Sequence, residues 1–161
     1  MAIIDCFYID RDNVNLVYKR FEYLAPFVDA FVVVEDTRNK VFDSNITMFA
    51  PYCDDCRYVA REFTSNDEMI LAMMEGLKKI ARKGDYILVS RFNEFWSPEV
   101  VLDIVEREEN AWVTLQHNVQ GDVKIPGTAM GVYGLFKDTL QLKNASKREF
   151  NLVQDGGRTY V

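Results

Sequence analysis

Two rhythms alternate along this chain. Unbroken apolar runs rich in β-branched residues give way to stretches where apolar residues recur every three or four positions. Ala2 to Ile9 is a run of the first kind and predicts a strand. Asp12 or Asn13 can then cap a helix through about Ala25, in which Val14, Val17, Phe21 and Leu24 share one face and Pro26 falls near the end. Asp29 to Glu35 is apolar almost throughout, as suits a central parallel strand covered on both faces. Asp36 to Asp55 has no period and is rich in Asn, Asp and Thr, so it reads as a loop, with a short strand over Arg57 to Glu62. Ser65 or Asn66 caps a second helix, to about Arg82, with a broad stripe of Met69, Ile70, Met73, Met74, Leu77 and Ile80, and Gly84 ends it. Tyr86 to Val89 is again a continuous apolar run.

Ser97 as cap, Pro98 at the first helical position and Glu99 in the first turn open a third helix, to Glu109. Trp112 to His117 reads as a strand, and Asn118 to Thr128 as turns around Gly121, Pro126 and Gly127. Gly131 to Phe136 reads as a strand, Lys137 to Leu142 as a helix or an extended edge, and the tail from Glu149 as a turn at Gly156 and Gly157 before a final strand. Alternation of this kind predicts one α/β domain over residues 1–161, a mostly parallel sheet flanked by helices. Ligands of open α/β sheets bind beyond the carboxyl ends of the strands. Arg91, Asn93 and Glu94, which follow the Tyr86 to Val89 run, are therefore the leading site candidates. Phe7 and Tyr8, Glu35 and Asp36, and His117 close other strands at the same rim.

Composition narrows the classes. A chain of 161 residues can bury a real core. Net charge of −6 and pI near 4.9 argue against general nucleic-acid affinity. No apolar run approaches the roughly 18–20 residues of a membrane span, and the first residues lack a secretory pattern, so the expected location is the cytoplasm. Cys6, Cys53 and Cys56 are odd in number, which fits a reducing compartment better than a disulfide framework. Cys53 and Cys56 have the spacing of half a zinc site, but Cys6 lies in a strand and the only histidine is His117. The dinucleotide fingerprint is absent, since Tyr8 to Asn13 holds no glycine, and so is a phosphate-cradling glycine loop. The basic clusters Lys78, Lys79, Arg82, Lys83 and Lys143, Lys147, Arg148 read as a helix end and a solvated surface. Asp5 interrupts an apolar run, and a carboxylate there needs a partner: Arg20, a backbone amide or a ligand.

Four segments, taken in order, resemble glycosyltransferase family 17, typified by the β-1,4-mannosyl-glycoprotein N-acetylglucosaminyltransferase. Ile4-Asp5-Cys6-Phe7 is similar to that family's "YDCFPFFNE" opening, with Arg20 matching an arginine of the next helix. Phe31 to Glu35 is similar to its "FVIVE" strand, Asp85 to Glu99 to its "DIVIISDVDEIPSPE" segment, and Asp155 to Tyr160 to a worn "DAGWHFS" ending. The resemblance spans nearly the whole chain, which is shorter than typical members and of a size such as phages encode. It implies a nucleotide-diphospho-sugar transferase fold of the GT-A type and a nucleotide-sugar donor, a UDP-sugar first, with the acceptor unspecified.

The departures fall on the chemistry. The family's Asp-X-Asp pair holds a divalent cation against the diphosphate, and two hard carboxylates suit Mn²⁺ or Mg²⁺. Here those positions are Arg91 and Asn93, while Glu94 keeps the family's acid. Arg158 and Thr159 stand at the tail's tryptophan and histidine positions, and Asn13, beside Asp12, at the acid of the first helix. Two readings follow. In one, Arg91 grips the diphosphate in place of metal, Asn93 and Glu94 orient the sugar or hold a residual Mn²⁺ or Mg²⁺, Glu94 or His117 is the base, and Phe7, Tyr8, Asp12, Glu35 and Asp36 line the nucleotide. In the other, catalysis has been lost and the fold engages another macromolecule.

Overall fold

The computed structural model describes residues 1–11, 13–39, 55–107, 113–116, 126–145, 152–154 and 157–160. The first strand, β1 (Ile3–Ile9), is buried at every position. Helix α1 (Val14–Leu24) starts where the Asn13 side chain accepts from the Leu16 amide at 3.2 Å. A 3₁₀ turn over Ala25–Phe27, holding Pro26, ends it. Strand β2 (Ala30–Asp36) is buried throughout, as its continuous apolar run requires, and β3 (Cys56–Arg61) lies at the sheet edge, half exposed. Helix α2 (Asn66–Ile80) is capped by Ser65, carries Asp67 and Glu68 in its first turn and Lys78 and Lys79 in its last, in line with its dipole. It stops four residues before Gly84, which makes the turn into the next strand at φ +96°.

Strand β4 (Tyr86–Arg91) runs two residues beyond the apolar stretch, and a two-residue turn leads to β5 (Glu94–Trp96). Then come α3 (Pro98–Glu106), β6 (Val113–Gln116), β7 (Pro126–Val132), α4 (Thr139–Ala145), β8 (Leu152–Gln154) and β9 (Gly157–Thr159). The main sheet has the order β3-β2-β1-β4-β7-β6-β8. Strands β3, β2, β1 and β4 are mutually parallel, and β7 runs antiparallel to both neighbours. A separate ribbon pairs β5 with β9. Helices cover both faces. Phe7, Phe21 and Phe31 form an edge-to-face trio on the α1 and α3 side, with centroids 4.9 to 6.4 Å apart. Cys6, Val32, Met73, Leu77 and Leu142 pack on the α2 and α4 side. Because β1, β2 and β4 are parallel, Asp10, Asp36 and Arg91 come to one rim. The mostly parallel α/β sheet expected from the sequence is the fold observed. Among the described residues no helix is long and apolar enough to cross a membrane.

Candidate functional site

The site begins beneath the rim. Asp5 and Arg20 are both fully buried and meet in a bidentate pair, Nε to Oδ2 at 3.0 Å and Nη2 to Oδ1 at 2.8 Å. Arg20 also donates to Ser90 Oγ at 2.6 Å and to the carbonyls of Arg91, Phe92 and Glu94 at 3.2, 3.2 and 2.7 Å. Trp96 Nε1 donates to Asp5 at 3.1 Å, and the guanidinium lies 4.5 Å from the Phe7 ring centroid. A planar five-donor fork is the group that can hold a carboxylate and three carbonyls at once. It fixes from below the turn that carries Arg91, Asn93 and Glu94. Of the partners open to Asp5, the structure selects Arg20.

Above the turn, Arg91 forms a second bidentate pair, with Asp10: Nε to Oδ1 and Nη2 to Oδ2, each 2.9 Å. Burial works against the Arg91 charge, but the bonds and charge of Asp10, with Tyr8 and Glu94 nearby, hold its pKa above the usual value. Glu94 Oε1 accepts from the Arg91 amide at 2.6 Å and from Lys143 Nζ at 2.9 Å. Tyr8 is buried beside these charges. Burial, then the charges of Glu94 and Asp10, push its phenol well above the usual range. Asn93 turns the other way: its Nδ2 donates to the Tyr160 carbonyl at 2.7 Å, and its carbonyl accepts the Tyr160 amide at 2.8 Å. Asn93 Oδ1 is buried with no hydrogen-bond partner among the described residues.

A cleft of about 200 Å³ opens at the same rim, lined by Asp10, Asp36, Arg38, the segment Phe63 to Ser65 that leads into α2, and Asn66 and Met69 of its first turns. Asp36 accepts from Arg38 Nε at 2.9 Å and from the Phe63 amide at 3.2 Å. The Arg38 hydrogen bonds hold its carboxyl well below the usual carboxylate range, against the cost of burial. Asn66 Nδ2 reaches Asp10 at 3.2 Å. Glu35 is buried and accepts from the Tyr58 hydroxyl.

The sequence-predicted residues therefore divide. Arg91, Glu94 and Tyr8 come together, and Asp36 lines the adjoining cleft. Phe7 is wholly within the core between Phe21, Phe31 and Arg20, with no face open to a nucleobase. Glu35 is turned to Tyr58, and Asn93 to the tail. Asp12, His117 and Cys53 lie outside the described residues. Asp10 lies within the strand-end stretch but was not singled out, and Lys143, read from the sequence as solvated surface, is instead bonded to Glu94 and mostly buried. Asp10 ends the first apolar run and was legible by the rule applied to Asp36; Lys143 gives no local signal. Cys56 is disulfide-bonded, which departs from the expectation of reduced thiols, and Cys6 is free and buried.

The residues present do not fit the divalent cation that the motif resemblance implies. Glu94 faces an ammonium, Arg91 fills one ligand position, and the Asn93 amide is directed to the tail. Among the described residues no three His, Cys, Asp or Glu side chains gather as a metal would need.

No family model and no curated protein matches the sequence. Solved structures do match in shape. The 4-diphosphocytidyl-2C-methyl-D-erythritol synthase of Anaerococcus prevotii superposes with a TM-score of 0.60 at 13% identity, covering 97% of this chain and 87% of that one. HddC from Yersinia pseudotuberculosis gives 0.59 at 10% identity, over 96% and 89%. The nucleoside-diphosphate-sugar pyrophosphorylase of Vibrio cholerae gives 0.55 at 10% identity, over 94% and 90%. At these identities the similarity shows the fold alone: this chain has the α/β fold of the nucleotide-diphospho-sugar transferase type.

Proposed function

We propose that this chain is a glycosyltransferase of the kind its motif order resembles, binding a nucleotide-sugar donor, a UDP-sugar first, with the Arg91 guanidinium in the role of a metal ion. The observation that supports this most is the Asp10–Arg91 pair at the joint carboxyl ends of β1 and β4, beside the Asp36–Arg38 cleft. Arg91 already holds a pair of carboxylate oxygens in fork geometry, and a diphosphate offers the same pair with more charge. The fold neighbours, by their names, act on diphosphocytidyl and nucleoside-diphosphate-sugar compounds, which agrees with this ligand class.

In the reaction, an acceptor hydroxyl oxygen bonds to the anomeric carbon as that carbon's bond to the diphosphate oxygen breaks. The electron pair leaves with the diphosphate, where Arg91 offsets the charge. The hydroxyl proton passes to Glu94 or His117. The test is release of nucleoside diphosphate from UDP-sugars in EDTA. Loss of a charge-assisted bond costs about 1.5–3 kcal/mol, so Arg91→Ala should weaken donor use at least tenfold, and Arg91→Lys should restore part of it. Unaltered binding and transfer in both Arg91→Ala and Glu94→Ala would overturn the proposal.

One observation favours a second reading, a catalytically silent fold that binds another macromolecule: Asp10 is already matched with Arg91, and Glu94 with Lys143. A rim with no affinity for any sugar nucleotide would select it.

A further inference from the structure

A second cleft, of about 390 Å³, lies behind the β4–β5 turn. Tyr23 of α1, Phe95 and Trp96 of β5, Ser97, Arg158 of β9 and Tyr160 line it. It shares no lining residue with the rim cleft. The two differ in how their polar groups are used. At the rim Asp10, Asp36, Arg38 and Asn66 are bound to one another or to the chain. Here the hydroxyls of Tyr23, Ser97 and Tyr160 and the Arg158 guanidinium make no hydrogen bond or ion pair among the described residues. Ser97 stands at the cap position of α3, yet its side chain bonds no helix amide.

The aromatic geometry restricts the occupant. Tyr23 lies over Phe95 at 6.1 Å with planes 23° apart, and Phe95 meets Tyr160 edge to face at 4.9 Å and 63°. Tyr23 and Phe95 already lie against each other, so no base is sandwiched between them. Tyr23 is 50% exposed, so its ring is accessible from the cleft, whereas Phe95 and Trp96 are buried. The electron-rich face of an aromatic ring attracts the polarised C–H groups of a puckered pyranose. Arg158, paired across the ribbon with Phe95, adds a fork of donors matched to two adjacent oxygens. The volume falls in the usual ligand range of roughly 300–1,000 Å³.

We propose that this cleft binds a saccharide, stacked on Tyr23 and held through two adjacent oxygens by Arg158. Resting on the transferase reading, it is the acceptor side of the same site. The Tyr160 backbone that forms one wall is bonded to Asn93, in the turn that presents Arg91 to the rim. The turn that carries Arg91 is thus bonded directly to a wall of this cleft.

The test is saturation-transfer NMR on the whole protein without nucleotide, with methyl β-D-glucoside and methyl β-D-glucuronide as probes. The neutral and acidic probes tell whether the adjacent oxygens are hydroxyls or a carboxylate. Wild type should transfer saturation to ring protons of at least one probe. An aromatic or charge-assisted contact supports about tenfold in affinity, so Tyr23→Ala and Arg158→Ala should each weaken binding by about that factor with the melting temperature kept. Binding of neither probe, or equal binding by both variants, overturns the proposal. So does displacement of the sugar by uridine monophosphate in wild type, which would make this the base site. Donor binding at the rim is read separately with UDP-sugars. Saccharide binding without donor binding would sink the transferase reading and leave this cleft standing; the converse would do the opposite.

Discussion

Arg20 occupies a position on the inner face of α1 where the spacing of Val17, Phe21 and Leu24 leads one to expect an apolar side chain. Its burial is tolerated because every donor has an acceptor, and removing it would strand Asp5 as a buried charge. Breaking such a pair costs about 3–5 kcal/mol. Arg20→Ala should lower the unfolding free energy read from urea titration by that order, and Arg20→Lys should recover little, since an ammonium cannot span Asp5 and three carbonyls. Asp36 gives a pH signature. Its folded pKa is depressed, so its contribution to stability is present above the unfolded value of about 3.9 and lost as pH falls below it. Asp36→Asn should flatten the acid limb of a plot of urea midpoint against pH. Asp10 occupies the Arg91 fork; on the proposed reading it competes there with the diphosphate, so Asp10→Ala should tighten nucleotide-sugar binding several-fold in calorimetry. Weaker binding would mean that Asp10 itself contacts the ligand. The sequence showed that Asp5 needs a partner and that Arg91 and Glu94 stand at a strand end. It could not show Lys143 on Glu94, because that pairing joins residues 49 positions apart through the packing of α4.

Strands and helices with strong periods were legible to within a few residues: β1, β2, α1, α2 and the start of α3 each follow from capping residues and apolar spacing. The missed elements lack those signals. β5 has three residues, all buried, so nothing alternates. β7 begins at Pro126 and contains Gly127 and Gly131, residues depleted in strands. Pro126 is tolerated as the first residue, and Gly131 lets α4 pack close, since a Cβ there would lie 2.8 Å from Leu142 Cδ1 and that side chain would have to shift. The closest approach is at Gly157, where a Cβ would sit 2.2 Å from the Phe95 carbonyl oxygen. Backbone cannot yield as a side chain does, so Gly157→Ala should part β9 from β5. Overpacking costs about 1–3 kcal/mol. Hydrogen exchange should show the Arg158 and Tyr160 amides losing protection while those of β1 and β2 keep theirs.

The sheet order, four parallel strands and then β7 reversed, brings three strand ends and the start of α2 to one rim, and the small ribbon builds a second cleft behind it. Of the two positions where the resembled family keeps metal-binding acids, one holds Arg91, paired with Asp10, and the other Asn93, turned to the tail. The most direct measurement is a thermal-shift titration of the whole protein with UDP-sugars, in Mn²⁺ and in EDTA, for wild type and Arg91→Ala. Ligand at a hundredfold excess over its Kd stabilises the folded state by about 2.7 kcal/mol. A rise in melting temperature that persists in EDTA and falls to about half or less in Arg91→Ala is the predicted result. A rise seen only with Mn²⁺, or none with any donor, would contradict a metal-free diphosphate site at Arg91.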